Sequence, residues 1–272
     1  KISFMLDGGT LIGTCRKANN NGFLEWDDDI DISVKHTDVD KIIQILQEEL
    51  GHKYVIQDCQ SEKYYSPRLS RFRIRQKNER SMVAEKDSVL YELYENRGLF
   101  LDVYAYSPIL VNKVVDIIFR YLMIHLIYIR IRNAELDWKH GRNEKKALLK
   151  FERLKKRYIR RVNWYVKHAK NKKILSYVPY YVDNLKKPGP YILAKDIYGE
   201  KKYGIFEGNT YEIPSDSEAV LAAFYGKEWE TSPYIPLKDL FEGDKVQFSK
   251  AKFDASNYKH LKKASVYSSK TE

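Results

Sequence analysis

The chain has 272 residues, 43% of them hydrophobic, enough to bury a sizeable core as one large domain or two small ones. Its two cysteines, Cys15 and Cys59, argue against a disulfide framework, fit a reducing compartment and stand in no zinc-ligand spacing. The formal charge of +11 is concentrated: residues 110–173 hold 19 Lys and Arg against 5 Asp and Glu, and the remainder holds 29 against 32.

Lys1 leads almost at once into an apolar run, which reads as a start inside a domain. Residues 2–6 form a short apolar strand with Asp7 at its end. Gly8 and Gly9 break it, and Thr10 is the expected cap of a helix to about residue 18. Asn19-Asn20-Asn21-Gly22 is a turn signal. Residues 29–34 alternate polar and apolar, as a strand with one buried face does. Thr37 with Asp40 resembles a capping box for a helix to about residue 50. Residues 54–57 and 69–75 read as strands, the second with Arg71, Arg73 and Arg75 on one side. Residues 99–106 are another, closed by Pro108.

The texture then changes. Residues 109–132 read as a long apolar helix on which Lys113, Asp116, Arg120 and Arg130 fall within about 100° of arc, with Arg132 outside it. Its charge-free run at 121–129 is too short to cross a bilayer. Such a helix either lies in a membrane interface or packs on the core. Residues 144–173 read as a basic helix. The basic block favours acidic lipid, nucleic acid or a phosphorylated glycan, unless it is simply a solvated face. Residues 186–190 are rich in chain breakers and read as a linker. Ser215 or Asp216 is placed to cap a last helix to about residue 225, and the tail after residue 250 has a loose composition. There is no internal repeat.

Asp27-Asp28-Asp29-Ile30-Asp31 packs four carboxylates into five positions. Side chains two apart on a strand share a face, with Cα atoms about 7 Å apart. Asp29 and Asp31 therefore point together, with Asp27 joining if the strand starts early, and Asp28 points away. Hard oxygen ligands at this spacing suit Mg²⁺ or Mn²⁺. A calcium-binding loop is excluded, since Ile32 and Asp38 stand where its glycine and glutamate belong. Asp102 is one acid in an apolar strand, a position that calls for a metal, an arginine or a turn to cap. Gly8-Gly9-Thr10 offers open backbone amides at a helix start, suited to phosphate, although Gly-Gly alone is most often a bare turn.

The string Leu6-Asp-Gly-Gly-Thr-Leu-Ile-Gly13, Arg16, Gly22-Phe23 and Trp26-Asp-Asp-Asp-Ile-Asp-Ile32 resembles the LicD family, which includes the fukutin-type proteins. Residues 98–106 resemble its later Gly-hydrophobic-Asp strand. Ile213-Pro214, Leu221, Tyr225-Gly226 and Trp229 resemble its C-terminal motif. The resemblance implies an α+β nucleotidyltransferase-like fold, a small mixed sheet flanked by helices, here with a basic helical insertion. The expected divisions are a catalytic core at 1–107, the basic helical region at 108–185 and a C-terminal region at 186–272. It also implies Asp29, Asp31 and Asp102 as catalytic metal ligands, with Asp27 as a further acid and Gly8-Gly9 opening the site. The Gly8, Gly9 and Thr10 amides, with Arg16, Arg71 or Arg73, are the expected contacts to donor phosphate. The expected cofactor is Mg²⁺ or Mn²⁺. The expected reaction moves phosphocholine, phosphoribitol or phosphoglycerol from a CDP-linked donor to a hydroxyl of a cell-surface glycan, with release of CMP. The expected acceptor is free or lipid-linked, and the expected location of the protein is the cytoplasm or the inner face of the membrane.

Asn19-Asn20-Asn21 lengthens the family's usual turn, and Leu24-Glu25 replaces its common hydrophobic-proline pair. Tyr225-Gly226-Trp229 reads either as a helix end with aromatics beneath it or as an acceptor-stacking surface. Two other functions compete. One is nucleotidyl transfer with loss of pyrophosphate. The other is a non-catalytic basic protein on membrane or nucleic acid, although the chain has no groove-reading or base-stacking motif.

Overall fold

The computed structural model describes residues 3–16, 21–24, 27, 29–67, 71–77, 89–177, 190–227, 229–230, 246–248 and 251–253, the last two segments by backbone alone. The sequence features at Asn19, Asn20, Glu25, Trp26, Asp28 and residues 186–189 lie outside these.

The N-terminal half runs β1 (Met5–Leu6), α1 (Gly8–Cys15), β2 (Ile30–Lys35), α2 (Val39–Glu49), β3 (Tyr54–Gln57), β4 (Phe72–Gln76) and β5 (Phe100–Ile109). Then come α3 (Lys113–Phe119), a π-helical turn (Arg120–His125), α4 (Leu126–Lys139) and α5 (Glu144–His168). The chain closes with β6 (Asn171–Tyr177), β7 (Ile192–Leu193), α6 (Ala194–Tyr198), β8 (Lys202–Phe206), β9 (Asn209–Ile213), α7 (Ser217–Tyr225), β10 (Val246–Phe248) and β11 (Ala251–Phe253).

A mixed seven-stranded sheet forms the centre, in the order β1-β2-β5-β4-β3, with β6 on β5 and β7 on β6. Among the described residues, only β2 and β5 pair in parallel. Separate hairpins are made by β8–β9 and β10–β11. Alternation sorts the residues of the sheet by face. Val34, Phe72, Val103 and Ala105 turn to one side, where Val39 and Ile42 of α2 close a core. The opposite side carries the acidic and basic residues. It is closed by α4 and α5 through Ile131, Phe151 and Tyr158, and by α1 and α7 through Leu11 and Val220.

Several local expectations change. Thr10 lies inside α1, and the N-cap is Asp7, whose carboxylate accepts from Gly8 N–H. The capping box at Thr37 does not form: residues 36–38 make a 3₁₀ turn, Thr37 donates to Asp38, and α2 starts with no side-chain cap. The strand ending at Pro108 instead continues to Ile109, because Pro108 sits at a register shift against β6, where a missing N–H is tolerated. The long helix begins at Lys113, not 109, with Asn112 as its cap. The basic helix stops at His168, and residues 171–177 are strand. Of the tail expected to be loose, residues 251–253 pair with 246–248 in a hairpin, and residues 254–272 lie outside the described residues. Asp216 caps α7 by accepting from Ala219 N–H, as expected. No helix among the described residues is long and apolar enough to cross a membrane.

Candidate active site

Strand register assembles the site. In the parallel pair Asp31 lies opposite Asp102, and in the antiparallel pair Arg73 lies opposite Asp102. Acid, acid and arginine thus form one row across three neighbouring strands. Asp29, in the bend before β2, completes a group in which Asp29, Asp31 and Asp102 each offer a carboxylate oxygen within 4.8 Å of the others. Asp31 and Asp102 are buried and Asp29 is partly exposed.

The start of α1 fits against these acids. Gly9 N–H donates to Asp31 Oδ2 at 3.0 Å, Thr10 Oγ1 accepts from Asp31 N–H at 2.9 Å, and Asp7 N–H donates to the Asp31 carbonyl at 3.0 Å. A Cβ on Gly8 would stand 2.0 Å from Asp31 Oδ2, and one on Gly9 would stand 2.0 Å from Asp27 Oδ2. The glycine pair is therefore required for two carboxylates to close on the helix N-terminus, where the backbone dipoles favour negative charge. The Gly8 and Gly9 amides expected for donor phosphate are engaged here by Asp7 and Asp31.

Burial, reinforced by the charges of Asp29, Asp102 and Asp27, holds the Asp31 carboxyl well above the usual carboxylate range, and the Gly9 N–H offsets this only in part. Hard anionic oxygens in this arrangement fit a divalent cation in both chemistry and charge, since a bound cation relieves the mutual repulsion. Asp27 lies against Gly9 and adds to the repulsion, but is not part of the three-carboxylate group.

The three arginines expected at phosphate have different surroundings. Arg73 is 2% exposed and is bound to both oxygens of Asp102. Arg16 is also 2% exposed and donates to the Trp229 carbonyl, tying α1 to the segment after α7. Arg71 is half-buried, and its charge acts on His36, Cys59 and Tyr158. Arg75 is fully buried and donates to Gln57 and to the Gly98 carbonyl. Arg73 and Arg75, the two of these that lie in β4, thus face inward.

Two tyrosines beside the acids were not singled out as such from the sequence. Tyr104, two residues after Asp102 on the same face, has its hydroxyl pKa raised by burial and then by Asp31, Asp102 and Asp29. Tyr225 ends α7 and is half-buried. Burial, then Asp31, Asp7, Asp27 and Asp29, raises its pKa too. Tyr104 stacks on Tyr177 at 5.0 Å, and Tyr177 meets Phe224 at 4.6 Å, so a chain of aromatics from β5, β6 and α7 begins beside the acids at Tyr104. The period-two rule would have found Tyr104. Gly226 ends the helix with positive φ, and Trp229 is buried, so the helix-end reading of this motif describes its packing.

These features define an α+β domain in which a mixed sheet and the start of one helix gather carboxylates at a single centre. Residues 1–110 match the family model described as LicD/FKTN/FKRP, nucleotidyltransferase domain. A stretch of 54 residues is 39% identical to lipopolysaccharide cholinephosphotransferase LicD of Haemophilus influenzae. That stretch covers 20% of this chain and 19% of the relative.

Proposed function

We propose that the protein is a metal-dependent phosphotransferase. It would move a phosphorylated alcohol, phosphocholine first among the candidates, from a CDP-linked donor to a glycan hydroxyl and release CMP. The observation that carries this reading is the convergence of Asp29, Asp31 and Asp102 within 4.8 Å in a LicD-family domain. The similarity to a protein named as a cholinephosphotransferase supports phosphocholine. A CDP-linked donor and two free cysteines fit action in the cytoplasm.

Asp29, Asp31 and Asp102 would hold Mg²⁺ or Mn²⁺, which when bound supplies charge neutralisation at the transferring phosphoryl group and at departing CMP. The remaining roles belong to the chain. Arg73 fixes the orientation of Asp102 through both carboxylate oxygens. Gly9 N–H and the Asp7–Asp31 backbone bond fix Asp31. Tyr104, held against Tyr177, covers the acids on its side. Asp27 is assigned to the acidic surround, and Arg16 to positioning the segment around Trp229.

The test is a donor screen with CDP-choline, CDP-ribitol and CDP-glycerol, each with Mg²⁺ or Mn²⁺ and a glycan acceptor, following CMP. Release of CMP that is lost in Asp29→Asn and Asp31→Asn is the expected result. Pyrophosphate released from CTP would instead identify nucleotidyl transfer. Near-normal turnover in either variant would overturn the assignment of the site.

A further inference from the structure

The helix formed by α3, the π turn and α4 buries an ion pair beside its core residues and leaves a second apolar face exposed. Asp116 and Arg120 are 0% and 1% exposed. Asp116 accepts from Leu110 N–H, Arg120 Nε, Tyr165 and Tyr191, and Arg120 also donates to the Tyr177 carbonyl and to Tyr165. Away from this network, Val114, Val115, Ile118, Leu122, Leu126 and Ile129 are between 39% and 66% exposed. Their spacing of three and four residues keeps them within about 120° of arc, a continuous apolar stripe. The helix cannot roll to hide the stripe without breaking a buried, fully bonded ion pair.

The rim of the stripe is cationic. Arg130 and Arg132 are exposed, one on either side of Ile129. Phe119 stacks on Trp164 at 4.8 Å, which brings α5 alongside with Trp164 46% exposed and Arg160, Arg161 and Lys167 exposed around it. Residues 110–173 hold 19 basic side chains against 5 acidic ones. An apolar stripe edged by Arg and Lys with a Trp at its margin has the composition of a helix lying in the interface of an acidic bilayer. A second copy of the same chain would bring like charges together instead.

We infer that this helix face docks the protein on an anionic phospholipid surface, with the stripe in the acyl boundary and the arginines at the headgroups. The inference rests on the exposed stripe and its charged rim and is independent of the reaction assigned above.

The test is cosedimentation of the full chain with vesicles of phosphatidylcholine alone and of phosphatidylcholine mixed with phosphatidylglycerol. The wild type should bind the mixed vesicles, with binding weakened by salt, and should leave phosphatidylcholine in solution. Ile118→Ser with Leu122→Ser should bind at least about tenfold more weakly while keeping its melting temperature and its CMP release from a soluble donor. Arg130→Gln with Arg132→Gln leaves the stripe intact and should weaken binding and flatten its salt dependence. Equal binding by wild type and both variants, or no binding by the wild type, would overturn the inference. So would a lipid-free dimer that the Ile118/Leu122 variant disperses, since the stripe would then be covered by a second copy.

Discussion

Arg73 binds Asp102 through two hydrogen bonds across adjacent strands, Nε to Oδ1 at 2.5 Å and Nη2 to Oδ2 at 3.0 Å. The guanidinium also lies 3.9 Å from the centroid of the Phe100 ring, so it is clamped on more than one side. The pair is buried, and it sets one carboxylate of the cluster in place before any ligand arrives.

Arg73→Met should therefore leave an uncompensated buried carboxylate. We expect a loss of about 3–5 kcal/mol in urea denaturation of the metal-free protein, together with loss of transfer activity. Arg73→Lys keeps the charge but not the two-pronged geometry and should fall between the two. A fully stable, active Arg73→Met protein would remove the pair from the architecture of the site.

The glycines make a second prediction. Gly8→Ala and Gly9→Ala each place a methyl group 2.0 Å from a carboxylate oxygen, on Asp31 and Asp27 respectively. Gly8 also has φ of +53°, which adds about 1 kcal/mol of strain for alanine. Both variants should lose divalent-ion affinity, read by calorimetric titration with Mn²⁺, and Gly8→Ala should be the less stable. Unchanged affinity in both would mean that the acids move aside freely.

The pH dependence has a definite sign. The Asp31 carboxyl is raised above its ordinary 3.8 in the folded protein, so the folded state holds this proton more tightly than the unfolded chain. Its contribution to stability is complete below 3.8 and declines as pH rises through the raised value. Relative to wild type, metal-free Asp31→Asn should gain stability as pH rises over that window. Mn²⁺ at roughly a hundred times its Kd should stabilise the wild type by about 2.7 kcal/mol and the variant much less. Parallel pH profiles for the two proteins would contradict this.

Asp116 gives a prediction away from the acids. Asp116→Ala strands Arg120 in a site where it is 1% exposed and should cost about 3–5 kcal/mol. Tyr191→Phe removes a single 2.9 Å bond to the same carboxylate and should cost about 1 kcal/mol. Thermal melts of the two variants compared with wild type would measure the difference in scale.

Much of the centre was readable in the chain. Alternation around Asp29–Ile30–Asp31 and the lone acid in the strand at Asp102 marked the carboxylates, because period-two geometry and the cost of a buried charge act locally. The caps were read less well. Asp7 replaces Thr10 and the Thr37 capping box is absent, because side chains at helix starts choose partners from distant strands as readily as from the next turn. Arg73 and Arg75 share one side of β4, as the alternation predicts, while Arg71 lies in the bend before the strand. Whether that side meets phosphate or a carboxylate depends on the neighbouring strand, and register with β5 gives Arg73 to Asp102.

The sequence by itself determined the acidic strand, the glycine break before α1, the basic block and the family string, since these are properties of nearest neighbours along the chain. Only the tertiary structure decided that Asp102 meets Asp29 and Asp31 within 4.8 Å, that Gly8 and Gly9 make room for Asp31 and Asp27, and that Asp116 and Arg120 of the α3–α4 helix turn inward. Each of these depends on which elements lie side by side, and that is set by strand pairing and core packing among residues far apart in sequence.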